Sequence, residues 1–398
     1  MARYNVGVPR PLVVLLVALV SAAPAAADDF ALLRARDRYL PPAQRGFPAT
    51  PDGYQARYEA GRDLMEAALA AGPVGGRCTL LLGQLLAFAQ AQIRTAEAAD
   101  RPVRRAPPAL PRVTAACAPS SRARSRPRRT VVRLGLPAGT QIAAPPRRTD
   151  TALAHRLADI GTRFDGWSGF WVHDLSTGRS AGWNSDARFP GASTVKLGAV
   201  VAALRATALP EHGRHWYDLQ RIGAWSSNLG ANRILRELGQ GAVNDGLRRL
   251  GMWSSTYPGP YRATTAVVDA PKPPPLATTR VTTAQDLGRA LYRLHAGALG
   301  NERALRETGL TRHQARLGLS LLLRPEREGH NVGLLRPWLG NTLVAEKNGW
   351  LSDAYTTAAL VYRRGAPVIV VVEAYRPGLT ATAARRLGRA VLRALDAR

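Results

Sequence analysis

Long apolar runs are missing from most of this chain. The one stretch that approaches a hydrophobic segment, Leu12 to Ala22, is too short to span a bilayer comfortably. Arg3 and Arg10 precede it, and Ala25-Ala26-Ala27 offers a small-x-small cleavage site before Asp28. Residues 1–27 therefore read as a signal peptide. The expected location is secreted, periplasmic or associated with the cell wall. Cysteine is nearly absent: Cys78 and Cys117 are the only two in 398 residues. Two cysteines supply no metal-site pattern and no thiol nucleophile signature. In an oxidising compartment they are expected to pair, with two buried free thiols as the alternative. Acids are scarce, 28 Asp+Glu against 55 Lys+Arg, for a net charge of +27. Export argues against a nucleic-acid partner. Anionic wall polymers or lipid head groups fit better, although arginine-rich coding on a solvated surface explains the excess equally well. There is no internal repeat. At 46% hydrophobic and 21% charged, the bulk of the chain is expected to be globular.

Three regions follow the signal segment. Residues 28–100 read as a small all-α module. Pro41, Pro42, Pro48 and Pro51 break its start, and helices are expected over Tyr54 to Ala71 and Thr79 to Ala98. Residues 101–148 interleave arginines with Pro, Ala and Ser. Such a stretch buries too little apolar surface to fold alone and reads as a linker, with one short strand expected over Thr130 to Leu136. A Cys78–Cys117 bridge would tie this linker back to the module.

Residues 149–398 have the pattern of an α+β domain. Strand-like runs stand at both ends (Ser168 to Asp174, Arg179 to Trp183, Thr342 to Glu346, Thr356 to Tyr362, Val368 to Ala374). Helices fill the middle, and Thr380 to Leu395 closes the chain. The expectation is one antiparallel sheet built from both ends of the domain, with a flanking helical cluster.

Three short motifs inside this domain carry chemistry. Ser193-x-x-Lys196 opens the apolar run Leu197 to Leu204. On a helix the two side chains share a face. A serine is a weak nucleophile until a base takes its proton, and a buried lysine can be that base. Ser226-x-Asn228 stands before a helix. A second hydroxyl can relay a proton and an asparagine amide can hold a substrate carbonyl. Lys347-Asn348-Gly349-Trp350 follows the strand Leu343-Val344-Ala345. A lysine there attracts a substrate carboxylate, and glycine lets the backbone approach a ligand. Taken singly, each motif also reads as a helix cap or polar turn.

Taken in order, the three motifs resemble the penicillin-recognising serine enzymes: class A β-lactamases and the peptidases acting on D-alanyl-D-alanine. Phe189-Pro190-Gly191-Ala192, Asn232 and the Thr282-Thr283 helix start resemble that superfamily too. The resemblance implies a β-lactamase/transpeptidase-like fold over about residues 150–398. It implies catalytic roles for Ser193 as acylated nucleophile, Lys196 as general base, and Ser226 as proton shuttle assisted by Lys347. Asn228, Asn348, Gly349 and Trp350 become substrate-binding residues. The N–H groups of Ser193 and Trp350 would form the oxyanion hole. No metal and no organic cofactor is implied. The expected partner is a small-molecule β-lactam or a peptidoglycan peptide, bound by a monomer, with the Arg-rich linker holding anionic wall polymers.

Four departures qualify the resemblance. Ser227 stands where aspartate is usual, and Asn348 where a hydroxyl residue is usual. Ser193 and Ser226 are 33 residues apart, about half the family interval, so Trp216 or Tyr217 would have to wall the cleft. Between Leu238 and Asn301 there is no glutamate to activate a deacylating water. Asp269, the only acid of the Pro-rich loop Pro258 to Pro275, is the candidate replacement base or a loop residue with no role, and Asp245 and Asp286 fall on expected helices. The function expected is a secreted serine hydrolase that forms an acyl-serine and releases it slowly. The alternatives are a D,D-peptidase of penicillin-binding type, or a catalytically weak cell-wall-binding protein.

Overall fold

The computed structural model describes residues 29–71, 74, 76, 78–100, 110–117, 129–140, 144–261, 279–323, 332–363 and 367–397. The signal segment and Asp269 lie outside them. The chain divides into two compact units, residues 1–128 and 129–398.

The first unit contains three helices among its described residues: α1 (Asp29–Gln44), α2 (Pro51–Ala70) and α3 (Thr79–Asp100). The expected two-helix hairpin thus gains α1. Pro41 and Pro42 sit in its last turn, where each removes a bond to the preceding turn but little helix follows to be disrupted. Pro51 begins a helix instead of breaking one: it follows the N-cap Thr50, whose hydroxyl accepts from Gly53 N at 3.1 Å. Cys78 and Cys117 are disulfide-bonded. Gln84 Oε1 accepts from Thr114 N and Ala115 N, both at 2.8 Å, so the segment before Cys117 is also held on α3.

The second unit is built on a six-stranded sheet. Its strands are β1 (Arg148–Thr149), β2 (Trp167–Asp174), β3 (Arg179–Trp183), β6 (Leu343–Trp350), β7 (Ala354–Tyr362) and β8 (Pro367–Tyr375), ordered β1-β3-β2-β8-β7-β6. A separate pair joins β4 (Phe189–Pro190) to β5 (Val281–Thr282). β2 and β3 form a hairpin whose turn is closed by Asp174 Oδ1, bound by Ser176 N, Ser176 Oγ and Thr177 N. β2 pairs antiparallel with β8, with Phe170 opposite Val372, so the two ends of the domain meet in one sheet as expected.

The helices are α4 (Thr151–Arg163), α5 (Lys196–Arg205), α6 (Trp216–Trp225), α7 (Asn228–Arg249), α8 (Ala284–Ala298), α9 (Glu302–Thr308), α10 (Arg312–Leu322) and α11 (Ala381–Asp396). They cover both sheet faces. Val370 and Val372 pack towards α4 and α11, with Leu153, Leu157, Leu387 and Val391. Ile369 and Val371 pack towards the middle helices, with Val200, Leu287 and Leu291. A strand buried on both faces reads as an unbroken apolar run, which Val368 to Val372 is.

Helix α5 runs through the centre of the larger core, and Lys196 to Leu204 are all buried. It crosses α7 closely, because a Cβ on Gly246 would collide with the Gly198 carbonyl. Two expectations need correction. Residues 130–136 form no strand. Thr130 N donates to Glu211 Oε1 and Val132 O accepts from Arg316, so side chains take the bonds a ladder would need. Lys347 to Trp350 lie inside β6, which runs on past Glu346.

Candidate active site

Ser193 sits one turn before α5. Thr194 N donates to Gly191 O, Lys196 N to Ser193 O and Gly198 N to Val195 O, the three-residue bonding of a 3₁₀ turn. In that turn residues three apart lie above one another, so Ser193 and Lys196 meet. Lys196 Nζ is 2.9 Å from Ser193 Oγ. Ala192, just before Ser193, is held at φ 42°, the left-handed region that a residue with a Cβ rarely enters.

The lysine amine has two more partners. It donates to Ser226 O at 2.6 Å and to Asn228 Oδ1 at 2.7 Å. Ser226 caps α6 in the left-handed conformation, φ 58° and ψ 39°. Ser227 caps α7, accepting from Gly230 N at 3.1 Å. The link between the two helices is therefore only two residues long. It turns the Ser226 carbonyl to Lys196 while its hydroxyl accepts from Lys347 Nζ at 2.7 Å. Lys347 also donates to Asn348 O at 2.9 Å. Both lysines and Ser226 are fully buried, and Ser193 is 7% exposed.

Residues alternate across β6, and the faces separate the expected site residues. Lys347 and Gly349 share the face of Ala345, towards the middle helices. Asn348 shares the face of Val344 and Glu346, towards α11. A Cβ on Gly333 would collide with Asn348 Oδ1, so this amide is packed in and only 2% exposed. Asn348, expected among the substrate-binding residues, thus turns its carbonyl to Lys347 while its side-chain amide packs on the opposite face of β6. Beside it, Glu346 pairs with Arg336 at 3.0 Å, yet burial outweighs the guanidinium and raises its pKa.

Gly349 brings the strand against Ser193. A Cβ there would stand 3.0 Å from Ser193 N and 3.1 Å from Gly191 O. β6 is an edge strand. Leu351 N donates to Ala354 O across the β6–β7 turn, so by alternation Trp350 directs its N–H away from β7. That N–H lies on the open edge, next to the Gly349–Ser193 contact. Trp216 packs against the larger core at the start of α6.

One arm of the site carries no motif. Asn232 lies one helical turn beyond Asn228 on α7, and its amide clasps Tyr261: Nδ2 donates to Tyr261 O at 2.8 Å and Oδ1 accepts from Tyr261 N at 2.6 Å. The Tyr261 hydroxyl donates to Ala192 O at 2.7 Å, and its ring centroid is 4.3 Å from Lys196 Nζ. Of the acids in the glutamate-free interval, Asp245 is paired with Arg205 and Arg249. Asp286 is bound by Ser254 N and Ser255 Oγ, both at 2.8 Å. The family-like Asn232, four residues after Asn228, pointed to this arm in the sequence, whereas nothing there marked Tyr261.

The model of the β-lactamase enzyme family matches residues 152–211 and 219–395, more than half of the chain. The chain belongs to this family. The solved structure of PBP-A agrees on the fold. PBP-A is 18% identical, with 64% of this chain and 99% of that chain covered at a TM-score of 0.51. A β-lactamase from Desulfarculus baarsii is 22% identical, covering 62% and 98% at a TM-score of 0.49. One from Sphaerobacter thermophilus is 18% identical, covering 62% and 95% at a TM-score of 0.48. No curated protein matches the sequence. The matched span begins with α4, so the three-helix unit lies outside this β-lactamase family match.

Proposed function

We propose that this protein forms an acyl-serine at Ser193 with a β-lactam or a D-alanyl-D-alanine-type peptide, and that it releases the acyl group slowly. The supporting observation is the bonding of Lys196. Two of its partners, Ser226 O and Asn228 Oδ1, only accept, and the third is the Ser193 hydroxyl. A neutral amine satisfies this set with two N–H donors and leaves its lone pair for the Ser193 proton. Burial and the neighbouring Lys347 both work against a second ammonium before reaction.

Attack then proceeds in balance. Ser193 Oγ bonds to the carbonyl carbon as its proton passes to Lys196. The Ser193 and Trp350 N–H groups take the developing oxyanion. The carbon–nitrogen bond breaks, and the leaving nitrogen receives the Ser226 proton, which Lys347 replaces. A peptidoglycan peptide lies outside the cytoplasm, so export forms part of this reading. The test is intact mass after incubation with a fluorescent penicillin, beside Ser193→Ala. A persistent adduct lost in the variant is expected. Rapid turnover of a chromogenic cephalosporin would contradict slow release, and no adduct with any penicillin or D-peptide ester would overturn the reading.

A further inference from the structure

Tyr261 is fastened at the site through both its backbone and its side chain, yet it has no part in the acylation steps. Its backbone N and O are both clasped by Asn232. Its hydroxyl donates to Ala192 O, and its ring stands against Lys196. The Arg280 guanidinium is 3.9 Å from the same ring centroid, and Arg280 Nη2 donates to Gly259 O at 2.7 Å. Tyr257 meets the ring edge-on, centroids 5.5 Å apart at 81°. Arg280 and Tyr257 are buried, and Tyr261 is half-buried.

This fastening bears on two steps. Release of the acyl group needs a water oxygen to bond to the acyl carbon while the carbon–Oγ bond breaks. One water proton must pass to a base and a proton must return to Ser193 Oγ. Lys196 is the base at hand, but its three hydrogen-bonding positions are filled, and an aromatic ring covers the amine at van der Waals range. A water reaching Lys196 must displace a partner or the ring. The second step is attack itself. The left-handed Ala192 sets the direction of Ser193, and the tyrosine hydroxyl holds the carbonyl of that residue.

We propose that Tyr261 is a positioning residue that sets the lifetime of acyl-Ser193: its ring keeps water from Lys196, and its hydroxyl holds the Ala192 turn that presents the nucleophile. The proposal rests on the acyl-serine reading above. Its two halves separate by substitution. Tyr261→Phe keeps the ring and loses the Ala192 bond, so acylation slows while release stays slow. Tyr261→Ala opens the space, so release quickens by about tenfold or more as water gains the amine. A merely structural residue would slow both steps and quicken neither.

The experiment uses the intact protein and both variants, each checked by thermal melting. Two probes acylate it, a fluorescent penicillin and an activated aryl acetate, and adduct decay is followed by intact mass after excess probe is removed. Faster decay in Tyr261→Ala, with slow decay kept in Tyr261→Phe, supports the proposal. Equal decay in all three proteins overturns it and leaves the acyl-serine reading standing. Acylation by the ester alone removes the β-lactam reading, and acetyl decay still decides the role of Tyr261. No Ser193 adduct from either probe in any of the proteins overturns both.

Discussion

Lys347 Nζ donates to Ser226 Oγ at 2.7 Å across 121 residues of sequence. This bond joins the edge strand of the sheet to the two-residue link between α6 and α7. Ser226 thereby contacts both buried lysines, one through its carbonyl and one through its hydroxyl.

A shared relay predicts non-additive losses. Ser226→Ala and Lys347→Ala should each slow acylation of Ser193 by about 10²–10⁴-fold. The double variant should lose little more than the worse single one, because both remove the same proton path. Stopped-flow labelling with a fluorescent penicillin measures this, and multiplied losses would separate the two residues.

Gly349→Ala tests the close approach of β6. Its Cβ would stand 3.0 Å from Ser193 N and 3.1 Å from the Ala192 Cβ, so strand or nucleophile turn must shift by a few tenths of an ångström. A displaced oxyanion donor costs about 10²–10³-fold in acylation. The melting temperature should fall only slightly, because the edge strand can yield. Unchanged acylation would remove Trp350 N–H and Ser193 N from the oxyanion role.

Sequence reading located much of this. The Ser193-x-x-Lys196 contact is local, made within one turn, and four residues suffice to state it. The apolar runs of β2, β7 and β8 marked their strands to within a residue or two, and the helix starts read at Thr282-Thr283 and Thr380 fall at the caps Thr283 and Thr380. Helix α1 was hidden because Pro41 and Pro42 read as breakers, and their place in the last turn is not visible in composition. The side of β6 taken by Asn348 was hidden because Glu346 to Gly349 show no apolar–polar alternation that would mark a face.

His295 predicts an acid-sensitive step in stability. It is buried between α8 and β7, with Nδ1 3.1 Å from the Tyr362 hydroxyl, and burial lowers its pKa from 6.5 to about 4. The unfolded chain then binds more protons between these values, so stability contributed by the neutral ring is complete above about pH 6.5 and is lost as pH falls towards 4. The full difference amounts to about 3 kcal/mol. His295→Gln should flatten this part of the curve. Urea midpoints for both proteins from pH 7.5 to 4.5 measure it, and their difference isolates His295 from the raised carboxylates Glu346 and Glu373 common to both. Parallel curves would refute the assignment.

Arg336 predicts the opposite pH trend. Arg336→Met leaves Glu346 buried without its guanidinium, which destabilises by about 3 kcal/mol at pH 8. Burial already raises the Glu346 pKa, and losing the cation raises it further. Protonation on going to pH 5 removes the uncompensated charge, so the deficit should shrink there. Melting temperatures at both pH values decide it, and a deficit independent of pH would show that the ion pair is not its source.

The sequence by itself determined the Ser193–Lys196 pairing, the sheet drawn from both ends of the domain, and the order of the three motifs along the chain. These rest on short-range spacing and on apolar periodicity, which a linear chain displays openly. The tertiary structure alone decided that Ser226 serves two lysines, that the Asn348 amide turns away from the site, and that Tyr261 covers Lys196. Each depends on which face an element presents after packing. Contacts such as Tyr261 with Ala192, 69 residues apart, are set by the sum of the core and not by any local pattern.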